Sequence, residues 1–251
     1  MKQIVLVCSI LISVLSFGQR NIKDSIIGTP WVAVHYGANW AQNDLASRFG
    51  YLNHLGFHAG YKTNQNWVWA VDANFMFGDK IKVTTLFDDL KDSYGNLTDI
   101  SGQVATVLSL ARGYNVNLAI GKVIPLANTN RNSGIYIHAG AGYLAHKIRI
   151  ESRDQIIPQL ELDYKKGYDR LTTGLNVHQF VGYAYLANSG IVNFYGGFYF
   201  QEGFTKNRRT IFFDEPENPV PTNTRLDVQV GIKAGWFIPI YKRKPKAFYF
   251  N

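Results

Sequence analysis

Apolar and polar residues alternate along most of the chain beyond residue 30, and the clearest stretch runs from Trp67 to Phe77. There Trp67, Trp69, Val71, Ala73, Phe75 and Phe77 share one face, while Ala70, Asp72 and Asn74 share the other. A period of two marks an extended strand whose successive side chains point to opposite sides. One face suits lipid and the other suits a polar interior. The same reading predicts further strands near Trp31–Ala41, Leu52–Tyr61, Gly113–Val123, Gly134–His146, Gly174–Leu186, Asn193–Phe204 and Leu226–Ile240. Most are about as long as a tilted strand that crosses a bilayer.

The connections sort into two kinds. Those after the second, fourth and sixth strands are brief and turn-like: Lys62 to Asn66, Leu126 to Ser133, and Ala187-Asn188-Ser189-Gly190. Those after the first, third, fifth and seventh are longer, polar and charged. A β-sandwich has no reason to alternate in this way, whereas an up-and-down barrel with an even strand number does. The expected fold is therefore all-β: an eight-stranded antiparallel up-and-down transmembrane barrel, with long extracellular loops, short periplasmic turns and both chain ends on the periplasmic side.

The last strand repeats the two faces, with Leu226, Val228, Val230, Ile232, Ala234, Trp236, Ile238 and Ile240 against Asp227, Gln229, Gly231, Lys233 and Gly235. A basic side chain facing lipid at mid-membrane costs about 2–4 kcal/mol, and an acidic one less, so Asp72, Asp227 and Lys233 are expected in the lumen. Gln179 breaks the rule, falling on the outer face beside Val177 and Val181. Either the register slips there through a bulge, or that position touches another protein.

The N-terminus supports export. Lys2 precedes the apolar run Ile4 to Leu15 and then Ser16-Phe17-Gly18, a small-x-small cleavage pattern. The expected organisation is a cleaved signal peptide over 1–18, a barrel over 19–241 and a short basic and aromatic periplasmic tail over 242–251. The one cysteine, Cys8, lies within the leader, so a mature chain has no disulfide or thiolate metal site. A composition of 14% aromatic and 18% charged residues with 23 glycines fits β structure with tight turns and an interfacial aromatic belt.

The net charge of +8 would suggest nucleic acid in a soluble protein. In an exported barrel it suggests anionic headgroups instead, and no nucleic-acid partner is expected. Lys206, Arg208 and Arg209 follow the seventh strand and are candidate contacts to outer-membrane lipid and lipopolysaccharide. Lys242, Arg243, Lys244 and Lys246 form the candidate docking tail for inner-leaflet headgroups or a periplasmic partner.

The inward register gathers all six histidines, His35, His54, His58, His138, His146 and His178, with Asn39, Asp72, Asn74, Asn115, Asn117, Asn176, Asp227, Gln229 and Lys233. A barrel of this strand number is just wide enough for side chains to fill, so a hydrogen-bonded polar network is expected rather than an open channel. The candidate network is His35, His54, His58, Asp72, Asn74, His138, His178, Asp227 and Lys233. No metal site is expected, since His54 and His58 stand roughly 13 Å apart along one strand. No catalytic site is expected either. Ser152, Asp154 and His146 are the nearest approach to a nucleophilic set, through proximity alone. Asp88, Asp89 and Asp92, and Asp214, Glu215 and Glu217, are acidic loop clusters without spaced cation-ligand motifs. The pieces Ile81–Phe87 and Val104–Leu110 suggest that the third and fourth strands project beyond the membrane as an extracellular hairpin, whose edges would recruit partners.

With its leader, alternating strands and aromatic ends, the chain resembles the small eight-stranded outer-membrane barrels of the OmpX-like, OmpW-like and OmpA-transmembrane-like kind. The leader ending in Gly18-Gln19 resembles those of Bacteroidota envelope proteins. The resemblance implies residence in the cell outer membrane and, through the aromatic C-terminus, recognition by barrel-assembly machinery during biogenesis. It implies no cofactor. The function expected is non-enzymatic: a structural or interaction protein of the envelope, such as an accessory subunit of a larger secretion or assembly complex. Partners would bind through the extracellular hairpin, the surface near Gln179 or the tail. The alternatives are a narrow pore or OmpW-like conduit and, behind it, a lipid A-modifying enzyme.

Overall fold

The computed structural model describes residues 26–126, 130–153, 155–161, 163–187 and 192–240; the predicted leader and the tail with Lys242, Arg243, Lys244 and Lys246 lie outside them. The wall is made by β1 (Thr29–Gln42), β2 (Tyr51–Lys62), β3 (Trp67–Gly78), β6 (Leu108–Pro125), β7 (Gly134–Glu151), β8 (Thr172–Leu186), β9 (Asn193–Asn207) and β10 (Arg225–Pro239). All neighbours are antiparallel, and β1 pairs with β10 from Trp31↔Pro239 to Gln42↔Val228, closing an eight-stranded barrel without free edges. Two short strands, β4 (Leu97–Thr98) and β5 (Val104–Ala105), pair in a loop.

Alternation decides what faces where. Val34, Tyr36, Leu55, Phe57, Trp69, Val71, Val116 and Leu118 are exposed on the outer wall, while His54, His58, Asp72, Asn115 and Asn117 are buried inside. The outer band ends in aromatic side chains, with Tyr61, Trp67 and Trp236 towards the short-turn end and Trp40 and Tyr114 towards the other. An apolar wall of this kind is stable in hydrocarbon and costly in water.

The lumen is filled in three layers. At the short-turn end Trp31, Tyr136, Phe180, Tyr195 and Phe237 pack together, with Trp31 and Tyr195 stacked against Phe237 at 4.3 and 4.6 Å between ring centroids. At the long-loop end Leu45, Phe49, Leu52, Met76, Leu86, Ile148 and Leu160 form a second apolar layer. The polar side chains lie between.

The long loops depart from the sequence expectation in two respects. The 43–50 connection is no longer than the 126–133 turn, and it contains a one-turn helix, α1 (Asn43–Ala46), that inserts Leu45 into the mouth. The Asp44 carboxylate accepts the Leu226 N–H at 2.7 Å, tying α1 to β10. What projects is not a hairpin of the third and fourth strands but the open ends of β6 and β7, Leu108–Leu110 against Arg149–Glu151, whose connecting turn lies at the opposite end of the barrel. Ile81–Phe87 does not form a strand; Ile81 bridges to Phe49, and Leu86 and Phe87 are buried over the mouth. Apolar residues there gain more by covering the open end of the barrel than by pairing in water.

Candidate functional site

The charged centre of the lumen is built from four strands. Lys233 on β10 points its ammonium at Asp72 on β3, with Nζ 3.3 and 3.5 Å from the two carboxylate oxygens and both side chains fully buried. His58 on β2 places Nδ1 3.4 Å from Asp72 Oδ2. Asn74 donates its amide to Asp72 and to Asn115 Oδ1 at 2.8 Å. His35 on β1 places Nε2 2.6 Å from Asn74 Oδ1. Lys233 also lies 4.1 Å above the Tyr199 ring, a cation–π contact.

Amides carry the network across the barrel. Asn117 donates to Asn115 at 3.0 Å, Asn176 to Asn117 at 2.8 Å, and Asn115 to Gln201 at 3.3 Å. A glycine opposite makes the room: a Cβ at Gly56 would overlap His35 Nε2 and stand 2.6 Å from Asn74 Oδ1. A buried charge must be paired to persist, and here one cation meets one carboxylate amid imidazoles and side-chain amides.

Among the candidate residues, His35, His58, Asp72, Asn74 and Lys233 therefore share one connected set. His138 joins through its rings, 5.9 Å from His58 and 5.4 Å from His178, and His54 packs 6.1 Å from Tyr199. Neither ring nitrogen of His54, His138 or His178 has a hydrogen-bond partner among the described residues. Asp227 belongs to a separate cluster nearer the mouth, 2.8 Å from His146 Nε2 and hydrogen-bonded by Thr205 and Arg225. One lumen thus contains two carboxylate centres. Gln201 and Thr205 were missed in the sequence, although both alternate inward on β9 with Tyr199.

No group of three or more histidine, cysteine or acidic side chains is placed to hold a metal ion among the described residues. His146 faces Asp227 in the lumen, while Ser152 lies six positions on, roughly 20 Å along an extended chain, and bonds Glu161 at 3.5 Å. The serine and histidine of the nucleophilic set are therefore apart, and Asp154 lies outside the described residues. The acidic clusters are engaged locally. Asp88 pairs with Lys91, Asp89 accepts the Tyr168 hydroxyl, and Arg170 binds Asp214 at 2.6 Å and Glu215 at 3.1 Å. Burial pushes the Asp214 carboxyl above its ordinary value, against the opposing pull of Arg170.

Arg48 fastens the mouth. Its guanidinium donates to Arg170 O at 3.0 Å, Thr172 Oγ1 and Asn207 Oδ1, joining the 43–50 loop to β8 and β9. At the other end the buried Lys62 ammonium donates to Ile27 O and Asn132 Oδ1, each at 2.9 Å.

The outer wall resolves the question at Gln179. Pairing runs unbroken through Ala139↔Gln179 and Gln179↔Phe200, so no bulge intervenes and the amide is exposed outside. Glu202, half-buried on the same face of β9, pairs with Val177 and is therefore diagonal to Gln179. The alternation Phe198, Phe200, Glu202, Phe204 carries its signal in the sequence. Of the proposed headgroup contacts, Lys206 is exposed on the outer face, Arg208 Nε bonds Thr173 Oγ1 at 2.6 Å, and Arg209 is held by Asp169 through contacts of 2.8 and 2.6 Å.

No protein-family model and no curated protein matches the chain. Among solved structures it is similar to Ail, the attachment invasion locus protein of Yersinia pestis, in complex with the heparin analogue sucrose octasulfate; identity is 11%, TM-score 0.42, and coverage 84% of this chain and 98% of that one. It is also similar to the N-terminal β-barrel domain of Pseudomonas aeruginosa OprF (10% identity, TM-score 0.35, 84% and 99% covered) and to the outer membrane protein OprG of Pseudomonas aeruginosa (12%, 0.38, 83% and 95%). The barrel's own geometry carries the conclusion: closed antiparallel strands, an apolar aromatic-edged exterior and a polar packed lumen make this chain an outer-membrane β-barrel protein.

Proposed function

We propose that the protein is a closed, non-enzymatic barrel that acts as a structural and interaction component of the envelope, with its long loops outside the cell. The observation that supports this best is the filled lumen, in which apolar layers on both sides enclose the Asp72–Lys233 centre. A hydrated ion would have to displace aromatic rings at one end and break a buried ion pair in the middle. Work at such a protein falls to its surfaces: the mouth loops and the outer wall around Gln179 and Glu202. Purified protein in planar bilayers should show no reproducible single-channel steps; their appearance would replace this reading with a narrow pore. A photo-crosslinking amino acid at position 179 should capture an envelope protein in cells, whereas lipid adducts alone would remove that wall from the interaction role.

A further inference from the structure

The outer wall carries a second charged surface that is separate from the lumen. β6 and β7 run past their neighbours at the long-loop end: Leu108–Leu110 pair with Arg149–Glu151, whereas β3 ends with Gly78 opposite Ala111 and β8 begins with Thr172 opposite His146. On the outward face at the base of this extension Arg112, still paired with Phe77 of β3, stands directly across from Lys147, and Arg149 follows two positions later. Ser152, Arg153, Glu161, Lys165, Lys166 and Asp169 border it, and with Arg209 they enclose a cleft of about 890 Å³ lined by seven basic and three acidic side chains.

The acidic side chains are already used. Asp169 binds Arg209 at 2.6 Å, Glu151 binds Arg149 at 2.6 Å, and Glu161 lies 3.9 Å from Lys165. Neither Arg112 nor Lys147 has a carboxylate partner among the described residues; Arg112 donates only to the carbonyl of Ala111, at 2.8 Å. Like charges directly opposed on antiparallel strands repel, and this pair therefore weakens the wall unless an anion lies between them. Phe75 lines the same cleft, and the outward face continues along β6 as Tyr114, Val116 and Leu118, all exposed. Cations thus meet the end of the apolar band, on the flank of the barrel rather than in its mouth.

We propose that this cleft binds the phosphorylated headgroup of an outer-leaflet glycolipid, with phosphate oxygens between Arg112 and Lys147 and acyl chains along Tyr114, Val116 and Leu118. The guanidinium offers a planar fork that matches phosphate, and the ammonium adds a compact charge. A soluble anion would use the cations alone. An anion attached to acyl chains uses both the cations and the apolar wall beneath them, so charge and position favour the lipid. The inference rests on the membrane-barrel reading and adds a ligand to it.

The test uses the full mature chain refolded in phosphatidylcholine vesicles, with insertion scored first by heat-modifiable electrophoretic migration and protease protection. Binding of bisphosphorylated lipid A is then titrated by native mass spectrometry. Each basic residue near an anionic surface is worth about fivefold in affinity, so Arg112→Gln with Lys147→Gln should bind roughly 25-fold more weakly. Lys147→Arg should retain binding, as should Lys82→Gln, an exposed lysine beside Arg48 at the mouth and outside this cleft, and dephosphorylated lipid A should bind the unaltered protein as weakly as the double variant binds the intact lipid. Equal affinity of the unaltered protein and a folded double variant would overturn the proposal. So would equal binding of the dephosphorylated lipid, or full competition by inorganic phosphate at about its own lipid-free affinity. If the double variant does not fold, an indifferent response to dephosphorylation is sufficient to overturn it. Failure of the unaltered protein to insert would instead remove the membrane reading on which the proposal stands.

Discussion

Replacing Lys233 by methionine should unfold the barrel more readily than any single change on its outer wall. The Lys233 ammonium sits 3.3 and 3.5 Å from the Asp72 oxygens, and both side chains are fully buried. Without it, Asp72 retains the Asn74 amide and the nearby imidazoles of His58 and His35, 3.4 and 3.9 Å away. Breaking a buried pair by removing one partner costs about 3–5 kcal/mol because the other charge is left uncompensated. That corresponds to roughly two to four decades in the folded-to-unfolded ratio. Lys233→Met combined with Asp72→Asn removes both charges, so its loss should fall short of the sum of the single losses by about 2 kcal/mol. Urea unfolding in phosphatidylcholine vesicles, followed by tryptophan fluorescence, measures all three variants. Additivity within about 0.5 kcal/mol would refute the view that these residues act as a coupled pair.

Three further outcomes are expected. A Cβ at Gly142 would overlap Val116 O and stand 2.6 Å from Asn117 Cα, while one at Gly196 meets nothing nearer than 3.8 Å. Gly142→Ala should therefore cost about 1–3 kcal/mol, from overpacking against backbone, and Gly196→Ala should cost much less in the same urea assay; equal losses would argue against close strand approach at β6–β7. Arg48→Ala should free the mouth loops, shown by faster protease cleavage within 43–50 and 208–224 in folded protein, and unchanged cleavage would mean that α1 is held by Leu45 and Asp44 alone. Because the folded value of Asp214 is raised, ionising it costs the folded loop more than the unfolded chain. Its contribution to stability should rise as pH falls from neutrality through that raised value, and Asp214→Asn should abolish the rise. A difference in urea midpoint that stays constant between the two proteins over that range would count against burial as the dominant influence.

Much of the wall was legible because a barrel strand meets two different solvents. Asp72, Asp227 and Lys233 could be assigned inward from parity alone, and so could the six histidines, since a one-residue slip would send each of them into lipid. The loops were less legible. Ile81–Phe87 has a strand-like composition, yet its apolar residues cover the mouth, and no local pattern distinguishes a projecting strand from a folded-back lid. The projecting strand ends lay at β6 and β7 because Leu108–Leu110 found partners in Arg149–Glu151, a pairing set by register.

The sequence alone thus determined which residues lie in strands and which side of the wall each faces, because strand geometry ties facing to a local count of two. It left partners undetermined, because a side chain's neighbours in a barrel come from other strands and depend on register. Only the tertiary structure decided that Lys233 meets Asp72 while Asp227 meets His146, that Arg112 opposes Lys147, and that Gln179 lies outside beside Glu202. Closure of the chain on itself turned an alternating pattern into two carboxylate centres sealed inside and a basic cleft on the outer flank.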